Sequence, residues 1–312
     1  MEPPVIFLMG PTAAGKTGVA VELVRRLPLE IISVDSAMVY RGMDIGTAKP
    51  GADLLSTAPH HLIDICDAAE SYSAGRFRED ALSLIKEIHG RGRIPLLTGG
   101  TGLYFRALER GFSALPPVSP QLRARLQQQT SEQGLAAMYE RLRHCDPASA
   151  SRIHPHDPQR ILRALEIWET SGRPMSALLA AGRSGALPYH CIKIVLCPAA
   201  RQSLHHDIRL RFNRMIELGF IDEVRGFYER GDLSPAQPSM RLVGYRQIWR
   251  YLDGLLDYAQ MLEKGIVATR QLAKRQITWL KSEAGASWFD AGEPGVSDKI
   301  LKFLEQCPHI RA

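Results

Sequence analysis

Eight residues near the amino terminus have the types and spacing needed to hold a phosphate group. The pattern G-x-x-x-x-G-K-[ST] is matched by Gly10, Pro11, Thr12, Ala13, Ala14, Gly15, Lys16 and Thr17. In this motif, the P-loop, backbone N–H groups surround an anion at a helix N-terminus. The lysine reaches the outer phosphate, and the threonine hydroxyl binds Mg²⁺. The motif therefore predicts that a diphosphate or triphosphate binds here.

Two further stretches carry polar groups at the ends of apolar segments. Asp35 follows Glu30–Val34, and the cluster Gly99-Gly100-Thr101-Gly102 follows Arg93–Thr98. A carboxylate beside a phosphate loop acts as a general base if it reaches a substrate proton, but it can also hold metal-bound water or cap a turn. The glycines let the backbone approach a ligand and Thr101 adds a hydroxyl, although the same residues also build an ordinary tight turn.

The elements that must position these residues alternate between strand and helix. Strands are predicted at Val5–Met9, Glu30–Val34 and Arg93–Thr98, with a minor strand at Leu62–Ile65. Helical spacing follows the first and third strands and also lies between the second and third. Such βα units indicate a parallel sheet whose strand ends meet at one crevice, so we expect Asp35 and Thr101 to face Lys16.

The pattern changes after the first third of the chain. A proline-rich linker at 115–120 precedes purely helical periodicity from 121 to about 183, and a strand returns at Cys191–Leu196. Helices and a last short strand at Ser287–Phe289 follow. We therefore predict an α/β fold in which a P-loop NTPase-like parallel sheet flanked by helices (residues 1–113 and 191–312) carries an all-helical insertion domain (residues 114–190).

Composition sets the class of protein. The chain has 312 residues, of which 45% are hydrophobic and 23% charged, and a formal net charge of +6. These values are typical of a soluble globular protein and permit an anionic partner. No stretch resembles a membrane span or a targeting signal, so we expect a cytoplasmic protein without a membrane partner. The five cysteines are scattered, which indicates reduced thiols.

Two features that the sequence lacks, a Walker B aspartate and metal-ligand spacing around the histidines, limit the reactions it could catalyse. The third strand ends in Thr98-Gly99-Gly100, where a motor-type NTPase usually carries a Walker B aspartate, and Asp64 lies on a weak strand. This pattern favours transfer chemistry over an ATP-driven conformational cycle. The pair His60-His61 lacks cysteine or histidine partners at metal-ligand spacing, so loop histidines with local hydrogen bonds are the favoured interpretation.

Basic residues recur in three places. Arg123 and Arg125 lie near the start of the helical insertion, and Arg160 and Arg163 are one helical turn apart. A third set, Arg270, Lys274 and Lys281, shares one helical face. Each run alone is typical of a solvated surface. Three such runs together favour a polyanion such as RNA, whose phosphates they would position without reading its sequence.

Five stretches carry a family resemblance that spans nearly the whole chain. Together they resemble the signature of the tRNA dimethylallyltransferases, the adenosine-37 isopentenyltransferases, in its bacterial form: Asp35–Pro50, Gly99–Tyr104, His154–Arg163, Val243–Gln247 and Thr269–Trp279. This family moves the dimethylallyl group of dimethylallyl diphosphate onto N6 of an adenine beside the anticodon. The run Asp35–Pro50 and the helix ending at Trp279 are specific to it, whereas the P-loop alone is not.

The resemblance implies a role for each candidate residue. Gly10–Thr17 would cradle diphosphate as a leaving group, and Lys16, with Mg²⁺ held by Thr17, would stabilise its charge. Asp35 would accept the N6 proton, Thr101 would bond near the reacting centre, and Arg211 would add a positive contact. Because the target adenine must leave its stack, RNA contacts are implied for the loop. They fall on Asp35, Ser36, Ala37, Met38, Thr101, Arg123, Gln159, Arg160, Ile161, Leu162, Arg163, Met240, Arg241, Leu242, Val243, Gly244, Tyr245, Ala273, Lys274, Arg275, Gln276, Ile277, Thr278, Trp279 and Leu280.

The resemblance also implies partners: dimethylallyl diphosphate, Mg²⁺, and the tRNA anticodon arm, whose stem the helical insertion would grip. We expect a monomer.

Three alternative functions stay open at this point. A small-molecule kinase shares the P-loop, the following aspartate and the glycine cluster but needs no arginine-bearing insertion. An enzyme that prenylates free AMP would share the core, and a non-catalytic RNA-binding protein would retain the P-loop without using it.

Overall fold

The structure is a computed structural model that describes residues 2–111, 115–116, 118–181, 185–308 and 310. Two compact units are present, one made of Met1–Leu108 with Pro188–Ala312 and the other of Glu109–Leu187. The predicted domain boundary at residues 113 and 114, and residue 183 at the end of the predicted helical stretch, lie outside the described residues.

In chain order the elements are β1 (Pro4–Met9), α1 (Lys16–Arg26), β2 (Leu29–Val34), α2 (Ala52–Thr57), β3 (His60–His61), α3 (Ala74–Gly90), β4 (Ile94–Gly99), α4 (Gly102–Arg110), α5 (Pro120–Cys145), α6 (Pro147–Ala150), α7 (Pro158–Ser171), α8 (Met175–Ala180), β5 (His190–Cys197), α9 (Arg201–Glu217), α10 (Phe220–Glu229), α11 (Tyr245–Leu252), α12 (Tyr258–Leu280), β6 (Ser287–Asp290) and α13 (Val296–Gln306).

The first unit is built on a six-stranded sheet in the order β3-β2-β4-β1-β5-β6. Every pairing is parallel, and β1 lies between β4 and β5 with Leu8 opposite Thr98 and Ile194. The central strands read as continuous apolar runs because helices cover both faces of a parallel sheet. The predicted parallel sheet flanked by helices is confirmed, and its strands deliver their carboxyl ends to one edge.

Helices α1 and α13 pack on one face of this sheet. Val19, Ala20 and Leu23 of α1 meet Ile300 and Leu304 of α13 in one buried cluster with the strand residues. On α3, Ser73 is the N-cap, and its side chain accepts a hydrogen bond from the Arg76 N–H. This cap stabilises the start of the helix between β2 and β4, since a serine at this position satisfies an N–H that the first turn leaves free.

One predicted strand is wrong. Leu62–Ile65 is not a strand; the short strand β3 lies immediately before it, at His60–His61. Leu62 and Asp64 have φ of 62° and 55°, the left-handed conformation of a turn. The chain turns here because Asp64 N–H and Ile65 N–H bond back to the carbonyls of Met38 and Val39 instead of to a strand. Helix α2 was not expected within the preceding loop.

The second unit is helical among its described residues. Its core is formed by Leu126, Met138 and Leu142 of α5 packed against Ile161 and Leu165 of α7. Helix α5 contains a break at Gly134, whose φ is 81°. A glycine allows this left-handed conformation at little cost, so two amphipathic segments fold within one element.

Within the described residues, no helix combines the length and apolar character needed to cross a bilayer. All five cysteines are free thiols. Cys145 and Cys197 are only partly exposed, and burial raises the pKa of each thiol.

Candidate active site

The phosphate loop joins β1 to α1 in the conformation that its motif predicts. Gly15 is the N-cap of α1 with φ of 76°, a left-handed conformation that favours glycine. Ala13 is also left-handed, at 65°. These turns place the free N–H groups at the start of α1 around one concave surface, the arrangement that binds anions at helix N-termini. Lys16 and Thr17 occupy the first two positions of that helix.

A cavity of about 220 Å³ opens above this loop. The residues of the loop from Thr12 to Thr17 form one wall. Ser33 and Asp35 come from the end of β2, and Thr98–Gly100 come from the end of β4. Arg211 enters from α9, and Thr47, Ala48 and Pro50 close the side. The carboxyl ends of the strands therefore meet at one pocket, as in other open parallel sheets.

Two cations and one carboxylate face each other in this cavity. Lys16 Nζ donates a hydrogen bond to the Pro11 carbonyl at 2.7 Å. Burial lowers the pKa of the Lys16 ammonium to about 8, and the Asp35 carboxylate opposes that shift. Burial also lowers the pKa of the Arg211 guanidinium, again against the attraction of Asp35. Two buried positive groups share a single carboxylate as counter-ion, so an anion of two or more charges would stabilise both charged forms.

Asp35 also shapes its own turn. Its Oδ1 accepts the Ala37 N–H at 2.8 Å, two residues along the chain. The capping alternative raised by the sequence is therefore realised by one oxygen. Among the residues that the structure describes, no hydrogen-bond donor reaches Oδ2. One oxygen fixes the side chain while the other is available to a proton donor in the cavity.

Thr101 lies beside the site rather than in the wall of the cavity. Its Oγ1 accepts the Ser36 N–H at 3.1 Å and donates to Ser36 Oγ at 3.4 Å. The glycine cluster after β4 is thereby tied to the segment that begins at Asp35. Ser36, Ala37 and Met38 are half-buried, and Met38 lines the cavity.

Gln276 has a role that the sequence did not reveal. Its Oε1 accepts the Thr12 N–H at 2.8 Å, and its Nε2 donates to the Gly100 carbonyl at 3.0 Å. One amide thus joins the phosphate loop to the glycine cluster. The only available signal was its place in the helix that carries the family resemblance. Three residues later, Trp279 packs against Gly102 and stacks near Phe105.

Three other candidates, His60, His61 and Asp64, have partners within the protein. His60 Nδ1 is 2.8 Å from the Ala58 carbonyl, and His61 Nε2 is 3.1 Å from Glu30 Oε2. Asp64 pairs with Lys49 at 2.6 Å. His60 also lines the cavity, where burial lowers the pKa of its imidazole and keeps it neutral.

The residues expected to contact RNA separate into three groups by burial. Five have side chains in the interior, so they support the surface instead of offering a side chain to a nucleic acid: Ile161, Met240, Tyr245, Ala273 and Leu280. Gly244 is buried as well. Arg123, Gln159, Arg160, Arg241, Lys274, Arg275 and Thr278 are exposed, while Leu162, Arg163, Leu242, Val243, Gln276, Ile277 and Trp279 are half-buried. A motif match does not separate these groups, because it carries no information on which side chains face the solvent.

Arginines of the helical unit are arranged in pairs around two glutamates, the buried Glu166 and the half-buried Glu169. Glu166, on α7, accepts from Arg123 at 3.0 Å and from Arg163 at 3.3 Å. Glu169, one turn along, pairs with Arg125 and Arg141. Each carboxylate therefore neutralises one of two guanidinium groups and fixes the orientation of both.

The sequence is similar to a known protein family and to several of its members. The sequence profile of the IPP transferase family matches residues 38–283. The chain is 57% identical over 305 residues to the tRNA dimethylallyltransferase of Alkalilimnicola ehrlichii, covering 97% of this chain and 96% of the relative. It is 58% identical over 285 residues to that of Thioalkalivibrio sulfidiphilus, covering 91% and 89%.

Solved structures agree with the sequence relatives. A full-length tRNA isopentenylpyrophosphate transferase from Bacillus halodurans superposes with a TM-score of 0.72 at 38% identity, covering 98% of this chain and 96% of its own. A eukaryotic dimethylallyltransferase acting on tRNA gives a TM-score of 0.83 at 24% identity, covering 98% and 80%. The second likeness shows a shared fold.

Proposed function

The chain belongs to the IPP transferase family of tRNA dimethylallyltransferases, and we propose that it transfers the dimethylallyl group of dimethylallyl diphosphate to N6 of adenosine 37 in tRNA. The products are N6-isopentenyladenosine and diphosphate. One observation carries the proposal: Lys16, Arg211 and Asp35 line a single cavity above the phosphate loop. That arrangement combines an anion site with a proton acceptor, the two functions that this transfer requires.

The leaving group is held by the loop and its cations. The C–O bond between the allylic carbon and the diphosphate breaks, and the electron pair stays on the diphosphate oxygen. The N–H groups at the start of α1, Lys16 and Arg211 face that developing negative charge. Donors fixed in place before the reaction stabilise such charge without reorganisation, and each is worth on the order of 2–4 kcal/mol.

The nucleophile loses its proton to Asp35. As the N6 nitrogen bonds to the allylic carbon, one N6 proton passes to the carboxylate. Asp35 Oδ1 is fixed by the Ala37 N–H, which orients the side chain toward the cavity. A positioned general base contributes about 10²–10⁴-fold to such a step.

The donor set fits Mg²⁺ as the cofactor. The Thr17 hydroxyl lines the cavity and is an oxygen ligand, which Mg²⁺ prefers. Within the described ranges, no group of three or more histidine, cysteine or acidic side chains is arranged to hold a metal. Such a sparse protein shell suits an ion that is held through substrate phosphates and water. When bound, Mg²⁺ would neutralise charge on the diphosphate.

The helical unit supplies the surface for the anticodon stem in this proposal. Arg123, Arg160 and Arg163 lie partly or fully exposed on α5 and α7. Arginine guanidinium groups match the geometry of phosphate, and such contacts position RNA without reading its bases. Discrimination then depends on the flipped adenine, whose extrusion costs a few kcal/mol.

The experiment is a transfer assay with dimethylallyl diphosphate labelled in the prenyl group, Mg²⁺, and unmodified tRNA. The proposal predicts label in tRNA that is recovered as N6-isopentenyladenosine after nuclease digestion. Label on AMP but not on tRNA would instead identify an enzyme acting on free nucleotides. ADP formation from ATP with a small acid would identify a kinase, and tRNA binding without transfer would identify a non-catalytic RNA-binding protein.

A further inference from the structure

A carboxylate on α10 binds three consecutive backbone N–H groups of the segment Asp44–Gly46. Glu223 Oε2 accepts from Asp44 N at 2.9 Å and from Ile45 N at 2.6 Å, while Oε1 accepts from Gly46 N at 3.1 Å. The partners are separated by almost 180 residues of chain. Hydrogen bonds to an ionised acceptor are about twice as strong as neutral ones. Glu223 therefore fixes this segment firmly to α10.

A fourth donor completes the arrangement. The buried Tyr245 hydroxyl donates to Glu223 Oε1 at 2.5 Å. Burial, followed by the nearby Glu223 charge, raises the pKa of this phenol, so it remains a donor at all ordinary pH values. Each carboxylate oxygen accepts two hydrogen bonds. A glutamine at this position would present one acceptor and one donor, and its NH₂ group would face N–H groups.

The segment held in this way continues into the wall of the cavity. Thr47, Ala48 and Pro50 line the cavity directly after Gly46. The Thr47 carbonyl accepts from the Arg211 guanidinium at 3.5 Å. At Gly46 itself an added Cβ would lie 2.1 Å from the Phe220 ring, so the backbone approaches α10 more closely than any side chain would allow.

We infer that Glu223 is a positioning residue for diphosphate binding: by holding Asp44–Gly46 it keeps the Thr47 carbonyl against Arg211 and keeps that guanidinium directed into the cavity. The inference rests on the proposed function, which supplies the diphosphate. Glu223 does not touch the ligand itself. It acts through two steps of hydrogen bonding, first to the segment and then to Arg211.

The test measures binding of inorganic pyrophosphate, with Mg²⁺, by calorimetry. Glu223→Gln is expected to weaken pyrophosphate binding ~10-fold, since several charge-assisted hydrogen bonds are lost. Tyr245→Phe removes one donor and is expected to weaken binding ~3-fold. Glu229→Gln, on the exposed end of the same helix, is the matched control for loss of one negative charge and should leave binding unchanged.

A double-mutant cycle separates positioning from general loss of structure. If Glu223 acts through Arg211, adding Glu223→Gln to Arg211→Ala should weaken binding by less than ~2-fold further. Independent losses that multiply, or a Glu223→Gln protein that binds pyrophosphate like the unsubstituted chain, would overturn the inference alone. Absence of pyrophosphate binding by the unsubstituted chain would overturn the proposed function and this inference together.

Discussion

The Gln276 amide accepts the Thr12 N–H at 2.8 Å across 264 residues of chain, and the same amide donates to the Gly100 carbonyl. A residue of the last long helix thereby fixes the geometry of the phosphate loop near the amino terminus. The N–H of Thr12 is engaged by protein, so the anion depends on the later N–H groups of the loop, Lys16 and Arg211.

Removing this link should weaken substrate binding. We expect Gln276→Ala to raise KM for dimethylallyl diphosphate roughly 5–10-fold, because two hydrogen bonds that hold the loop are lost, each worth about 0.5–1.5 kcal/mol. Steady-state kinetics with saturating tRNA would measure it. Gln271→Ala, an exposed position on the same helix, is the control and should match the unsubstituted enzyme. An unchanged KM in Gln276→Ala would show that the loop holds its shape without the amide.

We expect diphosphate binding to depend on pH because of the lowered pKa of Lys16. Burial lowers the pKa of its ammonium to about 8, so in the free protein the positive charge is present below that pH and is lost above it. An anion favours the charged form, so binding above pH 8 must take up a proton, and affinity should fall up to ~10-fold per pH unit there. Calorimetry of pyrophosphate binding between pH 7 and 9.5 would measure the slope.

The control for that slope is Lys16→Arg, because a guanidinium stays protonated over this range. Titration of pyrophosphate itself contributes equally to both proteins, so the difference between their slopes belongs to Lys16. Identical slopes would show that the Lys16 ammonium keeps an ordinary pKa.

Replacing Glu166 should change tRNA affinity in the direction opposite to the one that net charge alone would give. The substitution Glu166→Gln removes one negative charge from the helical unit. That change in charge alone should tighten tRNA binding. We expect binding to weaken ~3–10-fold instead, because Arg123 and Arg163 lose the carboxylate that orients them. Filter binding at fixed salt would measure it. Glu140→Gln breaks an exposed pair with Arg143 and supplies the same charge change; tighter binding by both variants would refute the orienting role.

The sheet could be read from the sequence because its strands carry local signals. Val5–Met9 and Cys191–Leu196 are continuous apolar runs, as strands covered on both faces require. The two-residue strand at His60–His61 has no such signal, and the apolar spacing of Leu62–Ile65 favoured the wrong residues. Its identity depends on pairing with β2, which sequence periodicity does not encode.

The same distinction between local and long-range signals applies to the residues of the candidate active site. Lys16, Thr17 and Asp35 could be placed because a motif and a strand end fix them locally. Gln276 and Glu223 could not, since their partners are far away in the chain and bind through backbone N–H groups that any residue carries. The burial of Tyr245 and Ile161 could not be predicted for a related reason: the resemblance names residues of a motif without showing which side chains face the solvent.

In the proposed reaction, Asp35 takes the proton from the nucleophile in the cavity that holds the diphosphate. The measurement is single-turnover transfer of labelled prenyl group to tRNA by Asp35→Asn, with tRNA affinity measured in parallel. We expect a rate lowered ~10²–10⁴-fold while tRNA affinity stays within a few-fold. An unchanged transfer rate, or a loss of tRNA binding equal to the loss of rate, would contradict it.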